Sequence, residues 1–485
     1  MQPQASDHAL HVPTWKELRR ADRHFAVPFE IILNDHELPL VCEEIVRIIP
    51  GKRLVAFASW GEQAVVAKIF YESGNAKRHI DREIEGVEQL LTSGIPTATL
   101  LWQGSAQKQK IHLMIFERIV GGTNLEDIWQ NKEDPAALLT LMRAVTIELA
   151  TQHVLGIVQQ DLHLKNFLIT NKQIYTLDAG SIVAAESILS KEESLQHLAL
   201  FFAQLGVGTE EIQEDLFHIY AKSRGWIVKK ADIKLLRTTL IKWNEKRWDR
   251  YERKIQRNST AFARKTRLGS IAMYDQTYQS AELDDFLKHP EAFFQKGEVL
   301  KAGRSSTVIK IKLDDRDFVV KRYNIKDGWH WLRRCLRPTR AAKSWKLAHR
   351  LQLFGLPTAK PVAYLENRFM GLRGTSYFVM EFVEGPHLGE YFARYQAGNE
   401  TFTTMAERVA NLFVNLAKLR LTHGDLKMTN ILINHEHPVL IDLDGMAEHS
   451  SLMRLRGAYR KELKRFMENW HSQPSVKLLF EKLLA

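Results

Sequence analysis

Cysteine is almost missing from this chain: Cys42 and Cys335 are the only two in 485 residues. So sparse a pair, split between the two halves, supplies neither a disulfide framework nor a metal knot, and it predicts a cytosolic protein. Long apolar runs are missing as well. None approaches the roughly 20 residues that a spanning helix needs. The start, Met1 to Asp7, has no apolar h-region, so no signal peptide is expected. The modules of nucleic-acid binding are lacking too, with no Cys/His finger spacing, no RNP-type aromatic pattern and no heptad-linked basic region.

What is present is ordinary for a globular chain, 45% hydrophobic and 26% charged. The length exceeds one core and predicts two to four domains. A formal net charge of +11, with a pI near 9.4, suits an anionic membrane surface, an acidic substrate or simply a basic exterior.

One pattern occurs twice. Asp161-Leu162-His163-Leu164-Lys165-Asn166 is followed by the apolar run into Asp178-Ala179-Gly180. Asp425-Leu426-Lys427-Met428-Thr429-Asn430 is followed by the run into Asp442-Leu443-Asp444-Gly445. In each, Asn stands five positions after the first Asp and the second Asp seventeen. This is the loop–strand–loop of a phosphotransferase, where one Asp takes the hydroxyl proton while the Asn and the second Asp hold magnesium. A single D-x4-N arises easily by chance. The whole pattern, repeated, does not.

Upstream of each lies the matching nucleotide machinery. Ala64–Phe70 is a β-branched run with Lys68 at its centre, and Phe318–Tyr323 carries Lys321. A lone strand lysine is usually solvated, but here each precedes a catalytic pattern, which favours binding of nucleotide phosphates. Gly51, in the turn Pro50–Arg53, and Gly303, in a single-glycine loop, are candidates to bring backbone amides to those phosphates. A helix is expected over 76–92, with Ile80, Ile84, Val87 and Leu91 as its apolar stripe. Glu83 sits at the edge of that stripe and is the candidate partner for Lys68, whereas Glu85 points away. A second helix is expected over 339–354. Aligning the stops Gly94-Ile95-Pro96 and Gly355-Leu356-Pro357 puts Ser344 at the position of Glu83, so the second unit lacks that glutamate. The first unit has Gln159 where the second has His423.

Two basic stretches admit two readings each. Lys242 to Arg267, helical in appearance, is either a solvated face with its tryptophans in the core or a dock for an anionic substrate. Trp329 to Arg337 mixes aromatics with arginines, as a membrane-interface segment does, or as a core helix with a basic edge does.

The catalytic stretches 158–180 and 421–445, the lysine strands, the helix stops and Arg340-Ala341-Ala342-Lys343-Ser344-Trp345 together resemble the lipopolysaccharide core kinases, the heptose and 3-deoxy-manno-octulosonic acid kinase group. The basic run Lys254 to Thr260 is similar to one in such proteins. The resemblance implies an α+β chain of two tandem protein-kinase-like bilobal domains, the second with a reduced C-terminal lobe. The expected limits are 1–287 (lobes 40–120 and 121–287) and 288–485 (lobes 293–383 and 384–485). It implies ATP and Mg2+ as cofactors, Asp161 and Asp425 as bases, Asn166, Asp178, Asn430 and Asp442 as metal ligands, and Lys68, Glu83 and Lys321 at the nucleotide. The expected acceptor is an anionic lipid-linked glycan, met in the cytoplasm by peripheral contact with the anionic inner membrane. No nucleic-acid partner is expected.

Two alternatives stand beside this. One is a protein Ser/Thr kinase, against which no Ala-Pro-Glu follows either second Asp, and the residues from Asp442 to Ala485 are too few for a large helical lobe. The other is a tandem in which one unit is a non-catalytic pseudokinase. An aminoglycoside-type acceptor would need an acidic pocket, opposite to the charge of this chain.

Overall fold

In the computed structural model, which describes residues 10–484 except 73, 132–133, 172, 186, 326 and 395–399, the β-branched runs fold as antiparallel strands. Phe29–Ile31, Leu40–Ile49, Arg53–Trp60, Gln63–Phe70, Leu100–Ala106 and Ile111–Glu117 form a six-stranded sheet in which the last two exchange places. Lys68 lies opposite Val55 on one side and Met114 on the other, so its strand is central.

The helix Ala76–Thr92 crosses over between the fourth and fifth strands. Its buried face is Ala76, Ile80, Glu83, Val87 and Leu90, spaced alternately four and three apart. The expected stripe needs correcting at one end: Leu91 is exposed and Leu90 is buried. Glu83 lies at the middle of the buried face, not its edge, which rotates the whole stripe. Gly94 stops the helix in the left-handed region (φ +70°). Its N–H bonds the Leu91 carbonyl at 3.0 Å, and the Ile95 N–H bonds that of Leu90 at 2.9 Å. This is a Schellman stop.

The same succession recurs later in the chain. Glu298–Ala302, Ser306–Leu313, Arg316–Tyr323, Leu372–Glu381 and Pro361–Phe369 stand side by side in that order, as their five counterparts do in the first sheet. The helix Arg340–Leu353 fills the same slot. It ends on Gly355 (φ +76°), with Leu356 N–H on the Leu351 carbonyl at 2.9 Å. Each sheet is then followed by two helices, Leu125–Asn131 and Pro135–Val154 in one case, Leu388–Arg394 and Glu400–Lys418 in the other. After these come a short strand pair, a 3-10 turn and a hairpin: Leu164–Asn166 with Phe167–Ile169 and Ile174–Thr176, and Met428–Asn430 with Ile431–Asn434 and His437–Leu440.

The boundary differs from the expected 287/288. One compact unit comprises Met1–Gln204 and Glu211–Ile241, the other Leu205–Glu210 and Lys242–Ala485. The reason lies in the basic stretch. The helix Lys230–Lys254 passes through the boundary, and Trp248 and Ile255 enter the core of the second unit. Arg264, Lys265 and Arg267 are on a strand, Phe262–Arg267, not on a helix. Its hairpin with Ser270–Asp275 extends the second sheet to seven strands by pairing with Pro361–Phe369. The α+β class holds. No helix among the described residues is long and apolar enough to cross a membrane.

Candidate active site

Both catalytic stretches have the same local build. The Asn166 side-chain amide donates to the Asp161 carbonyl at 2.8 Å, and Asn430 donates to the Asp425 carbonyl at 2.7 Å. The Asn166 carbonyl accepts from Leu177 N–H at 2.7 Å, and that of Asn430 from Ile441 N–H at 3.0 Å. These bonds tie the loop to the strand that delivers the second Asp. Asp178 and Asp442 then adopt the same left-handed backbone, φ 60° in each, which few non-glycine residues tolerate. With its amide N–H engaged by the backbone, each Asn has its side-chain oxygen left to ligate a cation. Among the described residues no cluster of three or more His, Cys, Asp or Glu side chains could hold a metal. The Asn/Asp pair suits magnesium, which keeps water and takes phosphate oxygens for most of its shell.

In the first unit Lys68 pairs with Glu83, which is buried. The helix fits closely here: a Cβ on Gly86 would stand 1.9 Å from the Ala179 carbonyl oxygen, so glycine alone permits the approach. Asp178 is exposed and makes no ion pair among the described residues. Asp161 lies 3.1 Å from His163 Nε2. Gln159 is fully buried, and its carbonyl accepts from His197 Nε2 at 2.8 Å. His197 in turn meets His153 at 2.7 Å, and His153 meets the Tyr220 hydroxyl at 2.6 Å. Burial drives both histidines below the usual range, His153 far below, so the chain is neutral and fixes the backbone just before Asp161.

The second unit differs at the lysine. Ser344 is buried and shares a hydrogen bond with the Tyr323 hydroxyl at 3.0 Å, so the helix gives Lys321 no carboxylate. Lys321 pairs instead with Asp442 and, at 2.9 Å, with Asp444. Arg340 reaches Asp444 at 3.5 Å and donates to the Ser305 carbonyl at 2.7 Å, in the turn after Gly303. Burial, then the hydrogen bond it donates to Asp444, pushes the Asp442 carboxyl up. Burial also acts against Asp444, but the Asp442 hydrogen bond and the Lys321 and Arg340 charges outweigh it and hold that carboxyl down.

Asp425 is flanked by Lys427 at 3.0 Å and Arg465 at 2.7 Å. His423 is buried and neutral, driven down by that burial, and donates through Nε2 to the Ile441 carbonyl at 2.9 Å. Glu462 comes from the helix Leu452–Glu468 and accepts from Gly424 N–H. Burial raises its carboxyl to about 7.

The two glycines differ in setting. Gly51 (φ +71°) occupies a tight turn at the Lys68 end of its sheet. Gly303 donates to the Ser306 carbonyl at 3.0 Å, and its own carbonyl accepts from Asn324 at 3.2 Å. Arg465 and Glu462 escaped the sequence reading, and Asp444 and Arg340 stood in quoted motifs without an assigned role. Asp444 was visible beside Asp442, but Arg465 and Glu462 lie too far along the chain for any spacing rule to reach.

No curated protein compared with the chain matches it. Residues 284–479, which carry Lys321, Asp425, Asn430 and Asp442, do match the lipopolysaccharide kinase (Kdo/WaaP) family, a family of phosphotransferases.

Proposed function

We propose that the second unit transfers the γ-phosphoryl group of ATP to a sugar hydroxyl of lipopolysaccharide core, a heptose or a related residue. The observation that carries this reading is the Asp425–Asn430–Asp442 arrangement inside the matched stretch. Asp425 accepts the hydroxyl proton as the oxygen attacks the γ-phosphorus, and the bond to the β-phosphate oxygen breaks to release ADP. Lys427 and Arg465 pair with Asp425 and would meet the charge that develops on the transferred group. Asn430 and Asp442 would hold magnesium, which would offset the charge of the nucleotide phosphates, and Lys321 would bind those phosphates. The test is mass spectrometry of core oligosaccharide after incubation with the enzyme and ATP. Wild type should add one phosphate and Asp425→Asn none; an unchanged core with wild type sinks the reading.

The first unit supports a second centre. It has the same Asp–Asn–Asp build and the Lys68–Glu83 pair that active protein kinases require. Phosphate transfer measured for Asp161→Asn and Asp425→Asn separately tells two active units from an active unit with a non-catalytic partner.

The acceptor is lipid-linked in this reading, so the enzyme meets it at a membrane surface. Support comes from one end of the second sheet, where Leu268, Leu336, Phe369 and Met370 are all more than two-thirds exposed. Arg368 N–H to the Gly269 carbonyl (2.7 Å) and Arg373 N–H to the Cys335 carbonyl (3.0 Å) draw these segments together, with Arg267 and Arg337 beside them. Apolar tips among arginines suit an anionic bilayer surface. Of the stretch Trp329–Arg337, the side chains of His330, Arg333 and Arg334 lie outside the described residues.

A further inference from the structure

Three positions around the strand lysine change together between the two units. Two residues after the lysine stand Phe70 and Tyr323. Eleven before the glycine that stops the helix stand Glu83 and Ser344. Two after the second Asp stand Gly180 and Asp444. In the first unit the carboxylate comes from the helix, and the loop opposite must be bare. A Cβ on Gly180 would stand 2.8 Å from Glu83 Oε2. In the second unit the helix offers only a hydroxyl, which the Tyr323 hydroxyl occupies at 3.0 Å. The carboxylate now comes from the loop, with Asp444 2.9 Å from Lys321.

The exchange has a physical necessity behind it. Lys321 is buried, and a buried ammonium without a counter-charge is either strongly destabilising or deprotonated. Asp442 also contacts it, but on the reading above its carboxylate would be engaged by magnesium. Asp444 is free of that duty. Its second oxygen meets Arg340, which holds the turn after Gly303 through the Ser305 carbonyl. A single carboxylate thus links the lysine to the turn that covers the phosphates.

We infer that Asp444 is the positioning residue that aims Lys321 at the nucleotide phosphates, the part Glu83 plays for Lys68, with the counter-ion carried by the loop after Asp442 and not by the helix. This rests on the reading of Lys321 as a phosphate-binding residue. It follows that the second unit does not need its helix to supply a charge: one loop sets both the lysine and the metal ligand.

The test uses the full chain with Lys68→Ala, so that MgATP titrated by calorimetry reports on Lys321 alone. Asp444→Asn should weaken MgATP binding by about tenfold or more, as loss of a charged hydrogen bond predicts. The triple variant Tyr323→Phe/Ser344→Glu/Asp444→Gly, which rebuilds the first unit's arrangement, should recover most of what Asp444→Gly loses. A merely structural aspartate would give no such rescue from the opposite side of the lysine. Unchanged affinity in Asp444→Asn, or a folded triple variant as weak as Asp444→Gly, overturns the inference. A parent protein that binds no MgATP overturns instead the reading on which it rests. Should the variants fail to fold, Phe70→Tyr/Glu83→Ser/Gly180→Asp makes the reciprocal exchange with Lys68 intact and Lys321→Ala. There, retained binding supports the inference, and binding as weak as in Glu83→Ser overturns it.

Discussion

Asp178 and Asp442 hold a backbone conformation that costs a non-glycine residue about 1 kcal/mol or more. That two such residues sit at the same step of a repeated motif argues that the strain serves to aim the carboxylate. Asp178 is the cleaner case because it is exposed and makes no ion pair among the described residues. Asp178→Gly should therefore raise the melting temperature of the nucleotide-free protein, by the equivalent of up to about 1 kcal/mol. It should also remove the first unit's share of magnesium-dependent stabilisation by ATP. Thermal unfolding with and without MgATP reads both; a variant less stable than wild type would show that the side chain, and not the backbone, decides this position. At this scale the sequence was legible where chemistry fixes spacing. Asp161, Asn166 and Asp178 follow from it, and Glu83 follows from helix geometry. The left-handed backbone and the Asp444 contact are set by tertiary approach and leave no periodic signature.

The helix Leu452–Glu468 shows what an element adds to a loop. Its inner face carries Leu455, Glu462 and Phe466, and Arg465 lies one residue before the last of these. Glu462 reaches the Gly424 N–H while Arg465 reaches Asp425, so the helix grips the catalytic loop at two adjoining points. Burial raises the Glu462 carboxyl from 4.5 to about 7 in the folded state. The folded protein then binds more protons than the unfolded chain between those values, so stability falls as pH rises through that window. The loss amounts to about 3 kcal/mol at most. Glu462→Gln should flatten this slope. Urea unfolding of the full chain at several pH values from 4.5 to 8 checks it, and an equally steep fall in the variant would assign the pH dependence elsewhere. Helix limits were mostly legible, because Gly94 and Gly355 are unmistakable stops. The facing of the first helix was not, since a buried glutamate at the centre of an apolar stripe reads from sequence as its edge.

For the whole molecule, the repeat of element order was evident from two motifs, while the boundary was not. The basic stretch reads as a solvated face with its tryptophans in the core. Trp248 does enter a core, but with Ile255 it is the core of the second unit, which moves the boundary upstream. The charge of +11 also takes on a place at this scale. Arg267 and Arg337 flank the exposed tips Leu268, Leu336, Phe369 and Met370, so on the proposed reading apolar insertion and electrostatic attraction would act at one end of one sheet. Each Lys or Arg near an anionic surface contributes about 1 kcal/mol, and buried apolar area adds about 25 cal/mol per Å2. The two terms respond differently to salt, because screening weakens the first and leaves the second. Sedimentation with vesicles containing anionic lipid should therefore show binding that weakens, but does not vanish, between low and physiological salt. Replacing Leu268, Phe369 and Met370 together by Asp should abolish it while MgATP binding stays intact. Binding that survives those three changes, or that disappears altogether at physiological salt in the wild type, would mean that the tips do not insert and that the basic surface acts alone.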